Sequence, residues 1–142
     1  MKGVLMSAIV VTAIAFTACA QKIDAYKVPD AVKASFGKQF PGATARWEKE
    51  EGKYEAGFKL DENTMSAVFE ADGKMVESEM DMKVADLPPT ILAYVKEHYK
   101  GKNIKEGAKI TLADGTINYE AEVDGKDVIF DAAGKFLKEV KD

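Results

Sequence analysis

Apolar residues recur at every fourth position in two short stretches of the chain. In VPDAVKASFGKQFPG (28–42) they are Val28, Val32, Phe36 and Phe40; in LPPTILAYVKEHYKG (87–101) they are Leu87, Ile91, Val95 and Tyr99. Four-residue spacing places each set along one side of a helix. Pro29 and Pro88 stand near the first helical position, where a missing N–H costs nothing. Gly42 and Gly101 stand just past the end, where a left-handed residue closes a helix. Each stretch therefore predicts an amphipathic helix of about three turns.

After each helix the period drops to two. Tyr54, Ala56, Phe58 and Leu60 alternate with polar residues or glycine, and so do Ile117, Tyr119, Ala121 and Val123. That is the pattern of strands with one buried face. Glu51-Gly52, Asp72-Gly73, Asp114-Gly115, Asp124-Gly125 and Ala133-Gly134 mark tight turns, and Asp61-Glu62-Asn63 marks another. The strands fall at 43–50, 53–61, 64–71, 74–82, 103–113, 116–123, 126–132 and 135–141. Tight turns make neighbouring strands antiparallel. The expected fold is α+β: a tandem repeat of a helix plus a four-stranded antiparallel meander, 28–82 and 87–142. Together the repeats form an eight-stranded antiparallel sheet with two helices on one face. KVADLP (83–88) is too short and apolar for a loose linker.

One turn is written twice, as FEADGK (69–74) and FDAAGK (130–135). A two-residue type I′ turn needs positive φ at both central residues, which Ala133 resists. A type I turn closed by a glycine bulge needs it only at Gly73 and Gly134. That register sets Phe69 against Met75 and Phe130 against Phe136. It also sets Glu70 against Lys74 and Asp131 against Lys135.

The N-terminus follows another rule. Lys2 precedes an uncharged run, VLMSAIVVTAIAF (4–16), which is short for a membrane span and suits the core of a secretory signal. Residues 1–20 are therefore set apart from the domain at 21–142. FTACAQK admits two processing routes: cleavage after Ala18-Cys19-Ala20, or a lipoprotein in which Cys19 becomes the lipidated first residue. Phe16 stands where a lipobox usually has Leu. Cys19 is the only cysteine, so the mature domain has no disulfide. The expected location is the periplasm, or the cell envelope through a lipid on Cys19.

Composition narrows the function. At 46% hydrophobic and 31% charged, the chain can bury a core. Its formal charge is −4, and −5 without Lys2, which argues against nucleic acid. No Lys/Arg run suits anionic lipid. His98 is the only histidine and lies beside a helical stripe, with no nucleophile paired to it. No phosphate loop or zinc spacing is present. Glu77, Glu79 and Asp81 share one face of a strand and offer a hard cation such as calcium three carboxylates. An acidic strand edge that discourages pairing gives the same pattern. Met75, Met80 and Met82 have thioethers suited to copper(I), or to ordinary packing. Trp47 alternates with Ala43 and Ala45 towards the core, but tryptophan also serves as a partner anchor, here flanked by Arg46 and Glu48.

Several of these residues recur in a known family. A helix opening Val28-Pro29 or Leu87-Pro88 precedes Trp47-Glu48, Tyr54-Glu55-Ala56 and Phe69-Glu70-Ala71-Asp72-Gly73-Lys74. Over about residues 28–142 this resembles the PepSY-like exported bacterial proteins, whose fold is similar to that of β-lactamase inhibitory proteins. The resemblance implies a regulator or inhibitor of secreted or envelope proteins, with no catalytic residues and no cofactor. The second half departs from the pattern: GAKITLA (107–113) stands where a second tryptophan would be. The reading from sequence is thus a non-enzymatic binding module for an unidentified envelope or secreted protein or peptide. A metal carrier using residues 75–83 is the alternative. A carboxylate-only enzyme has no acid pair singled out by its neighbours.

Overall fold

A computed structural model describes residues 20–141; Cys19 and the apolar stretch 4–16 lie outside them. Both predicted helices form, α1 at Asp30–Gln39 and α2 at Pro89–His98. Pro29 and Pro88 occupy the N-cap positions. Gly42 and Gly101 follow the helices with φ of 84° and 76°. The apolar stripe runs past each helix: Val28 and Leu87 are buried before the first turn, and Phe40 after the last turn of α1.

The eight predicted strands are all present. They are β2 (Arg46–Glu50), β3 (Lys53–Leu60), β4 (Asn63–Phe69), β5 (Met75–Met82), β6 (Ile104–Leu112), β7 (Ile117–Val123), β8 (Lys126–Asp131) and β9 (Phe136–Lys141). A further strand, β1 (Gln21–Ile23), makes the sheet nine-stranded rather than eight-stranded. It pairs antiparallel with β2, placing Ile23 opposite Trp47. Three residues are too few to show a period, so sequence patterning missed it. The order is β1 to β9 in sequence, antiparallel throughout. The same series, a 3-10 turn, a helix and four strands, runs from Ala25 to Met82 and again from Val84 to Lys141.

Each helix covers its own four strands. Val32 and Phe36 pack with Trp47, Tyr54, Phe58 and Phe69. Ile91 and Val95 pack with Ala121, Val123, Val128 and Phe130. The halves join through β5 and β6, paired from Glu77↔Leu112 to Met82↔Gly107. Gly107 leaves the space that Leu87 fills: a Cβ there would lie 3.0 Å from a Leu87 methyl.

The doubled turn has the bulged register. Phe69 pairs with Met75 and Phe130 with Phe136. Glu70 N–H donates to the Lys74 carbonyl and Asp131 N–H to the Lys135 carbonyl, both at 2.9 Å. Gly73 and Gly134 have positive φ, and Ala133 does not. The structure adds a reason for glycine that periodicity does not reveal. Each turn presses on the start of its helix, Gly73 under Ala31 and Gly134 under Thr90.

Candidate functional site

Strand alternation sends every second side chain away from the helices. Register groups these into rows across the open face of the sheet. One row runs Arg46, Gly57, Ser66, Glu79, Ile110 and Asn118. A second includes Glu48, Glu55, Val68, Glu77 and Leu112. A third includes Asp81, Ala108, Glu120, Ile129 and Lys138.

Among the described residues no helix covers this face, yet its middle is buried. Val68, Ala108, Ile110 and Ile129 are buried, and none belongs to either helix-side cluster. Two polar residues are buried among them: Glu77 is 6% exposed and Asn118 2%. Near the β1 edge, Lys22, Asp24, Arg46, Glu48, Glu55 and Gly57 line a hollow of about 610 Å³.

The face is acidic. Burial pushes the Glu79 carboxyl up to about 7, aided by Glu77, Asp81, Asp127 and Glu106. Burial likewise pushes Glu55 up to about 7; Glu48, Glu79 and Glu50 add to the rise, and a hydrogen bond from Ser66 opposes it. Burial raises Glu77 too, against the pull of Lys138. Burial in turn holds the Lys138 ammonium below its ordinary range, and Glu77 counters it. Crowded, half-dehydrated carboxylates disfavour their charged forms.

These shifts set a pH dependence of stability. The folded carboxyls of Glu55 and Glu79 bind protons that the unfolded chain releases near 4.5. Their contribution is therefore fully present below about 4.5 and is lost as pH rises through about 7. Thermal melts are expected to give a higher Tm at pH 5.5 than at pH 8. Glu79→Gln should stabilise the fold at pH 8 by about 1–2 kcal/mol, a figure reduced for its partial exposure, and flatten the profile. A Tm that climbs from pH 5.5 to 8 in the native chain would count against this electrostatic picture.

The sequence-predicted site residues separate on this frame. Arg46 and Glu48 lie on the open face, at the hollow. Trp47 points the other way and is only 7% exposed. It meets Phe36 edge-on, with ring centroids 5.5 Å apart, and packs near Phe69 at 6.3 Å. It belongs to the core of the first half, and its remaining exposed edge lies at the wall of the hollow.

Glu77, Glu79 and Asp81 share the open face, as their period of two predicts. Alternate residues of a strand are nevertheless about 7 Å apart, whereas calcium ligands sit about 2.3–2.6 Å from the ion. Among the described residues no three His, Cys, Asp or Glu side chains converge to hold a metal. Met75 and Met82 pack on the opposite side, against the helix-covered clusters. The thioethers and carboxylates of residues 75–82 thus do not meet. His98 is exposed, stacks on Tyr94 with ring centroids 3.9 Å apart, and has Nδ1 3.0 Å from the Tyr94 carbonyl. Among the described residues no helix is long and apolar enough to cross a membrane.

The apolar floor of the open face is what sequence reasoning missed. Val68 and Ile129 each neighbour core residues of the other face, Ala67 and Phe69 for the first, Val128 and Phe130 for the second. The runs AVF and VIF therefore read as continuous hydrophobic strand, which does not say that both faces are buried.

Comparison with solved structures places the fold among known ones. A BLIP-like protein from Bacteroides fragilis aligns with a TM-score of 0.67 at 24% identity, over 78% of this chain and 84% of its own. A DUF2874 family protein from Bacteroides ovatus gives 0.69 at 22% identity, over 78% and 85%. A protein from Bacteroides eggerthii described as periplasmic gives 0.71 at 16% identity, over 79% and 87%. At these identities the likeness is one of fold. No curated protein matches the chain. A family model does, over residues 16–77 and again over 52–138. These matches together span most of the sequence, and the chain belongs to the beta-lactamase-inhibitor-like, PepSY-like family.

Proposed function

We propose that this protein is a non-enzymatic, exported binding module that holds an envelope or secreted protein on the open face of its sheet and so inhibits or regulates it. The observation behind the reading is that face itself. Among the described residues no helix covers it; it has a buried apolar floor and is crowded with carboxylates whose raised pKa values predict a loss of stability above neutral pH. Such a surface carries a stability cost, and sites that trade stability for binding are where such costs concentrate. Arg46 and Glu48 at the hollow are partner contacts in this reading, and Trp47 holds their strand from behind. The solved relatives described as periplasmic support the exported setting. Cys19 is the proposed lipid attachment point, and the two helix-and-meander halves are read as copies of one unit.

Gly57 provides a clean test. It lies on the open face, and a Cβ there would meet nothing within 4 Å. Gly57→Gln therefore fills the groove while leaving the fold intact. Crosslinked capture from an envelope extract should enrich a protein on the native chain and lose it on Gly57→Gln. Equal enrichment on both would remove the open face from the account.

A further inference from the structure

We propose that Met65, Met80 and Met82 form a thioether site for a soft monovalent cation, copper(I) or silver(I), on the helix side of the sheet. The site goes beyond the open-face reading and does not depend on it. Met80 stands directly opposite Met65 across the β4–β5 pair. Met82 is two residues further along β5 and therefore faces the same side. Directly opposed Cβ atoms lie about 4.5–5.5 Å apart and diagonal neighbours about 7–8 Å, within reach of long side chains. The three thioethers thus stand at the corners of a triangle over two strands. Glu77, Glu79 and Asp81 instead stand in line along one strand, with shorter side chains and charges that repel one another.

Placement keeps the site reachable. Met65 packs against the cluster under α1 and Met82 against the cluster under α2, while Met80 belongs to neither. The triangle therefore lies at the seam between the two helix-covered clusters. All three residues are half-buried, so an ion can reach them from solvent. Met75 is separate: it lies opposite Phe69, roughly 15 Å along β5 from Met80. In β8 and β9 the pair at the same distance from the bulged turn is Lys126↔Lys141. That register position therefore does not itself call for two apolar side chains. A thioether is a soft, neutral donor, and the three rotatable bonds of methionine let the sulfurs converge. Neutral donors leave the charge of the ion uncompensated, and Lys109 stands opposite Met80 on the β6 side. Both features favour a monovalent ion over a divalent one.

The test follows the methionine methyl signals by NMR in carbon-13-labelled protein, with silver(I) as the air-stable probe. Silver should move the signals of Met65, Met80 and Met82 and leave that of Met75 in place. Calcium at the same concentration should move none of them. Copper(I), supplied without oxygen and in competition with bicinchoninate, should bind as a single ion per chain. Met80→Leu should weaken that binding at least about tenfold, while Met75→Leu leaves it unchanged. Leucine conserves the volume of methionine, so both variants keep the fold, and melting curves confirm it. Silver that moves no methyl, or moves Met75 as far as the other three, would overturn the site. So would calcium that moves the same methyls, or full copper(I) affinity in Met80→Leu.

Discussion

Trp47→Ala should cost about 3–5 kcal/mol of folding stability, the range for a large aromatic removed from a packed core. Its ring fills the space between α1 and the first half of the sheet, edge-on to Phe36 and close to Phe69, which is fully buried. The surrounding cluster is mostly rings, and Phe36 also meets Phe40 and Phe58. Rigid rings close poorly around a cavity, which favours the upper part of the range. The melting temperature should fall on the order of 10 °C or more, and Trp47→Phe should recover much of the loss. An exposed anchor behaves differently: its removal costs under about 1 kcal/mol of stability and shows only in binding. Chemical denaturation of the two variants separates these outcomes.

Gly73→Ala should cost about 3 kcal/mol or more, against about 1–2 kcal/mol for Gly52→Ala. Both glycines have positive φ, 90° at Gly73 and 79° at Gly52. They share the strain that an L side chain meets there. Only at Gly73 would the new methyl also strike the α1 backbone, 2.5 Å from the Ala31 carbonyl oxygen. At Gly52 it would meet nothing within 4 Å. Gly134→Ala should cost more than Gly52→Ala, because rotating Thr90 clears its hydroxyl, at the expense of a 3.4 Å hydrogen bond to the Ala133 carbonyl, but leaves its Cβ 2.9 Å from the new methyl. Equal losses at Gly52 and Gly73 would mean that turn conformation alone explains the glycine.

The repeated stretch shows how far the sequence could be read. FEADGK and FDAAGK reveal their register because the turn chemistry of glycine and alanine leaves one solution. They do not reveal that each turn is pinned under its helix, a contact between distant parts of the chain. The helices were readable from four-residue spacing and eight strands from alternation. β1 was not, since three residues hold no period and its place is set by pairing with β2. The candidate site was half readable. Glu77, Glu79 and Asp81 declare a shared face by their spacing, but not that Glu55 joins them across β4 or that Ile110 and Asn118 line the same groove. Trp47 flanked by Arg46 and Glu48 looks like a surface motif in one dimension. In the sheet, alternation divides it, tryptophan to the core and the charged pair to the open face.

The central claim is that the open face, and not the helix-covered side, meets the partner. Photocrosslinking from single positions in the native envelope tests it most directly. A benzophenone side chain at Gly57 reports on the open face, and one at Ala93, exposed on α2, reports on the other side. The account expects a discrete higher-mass adduct from position 57 and none from position 93. An adduct from position 93 with none from position 57 would contradict it.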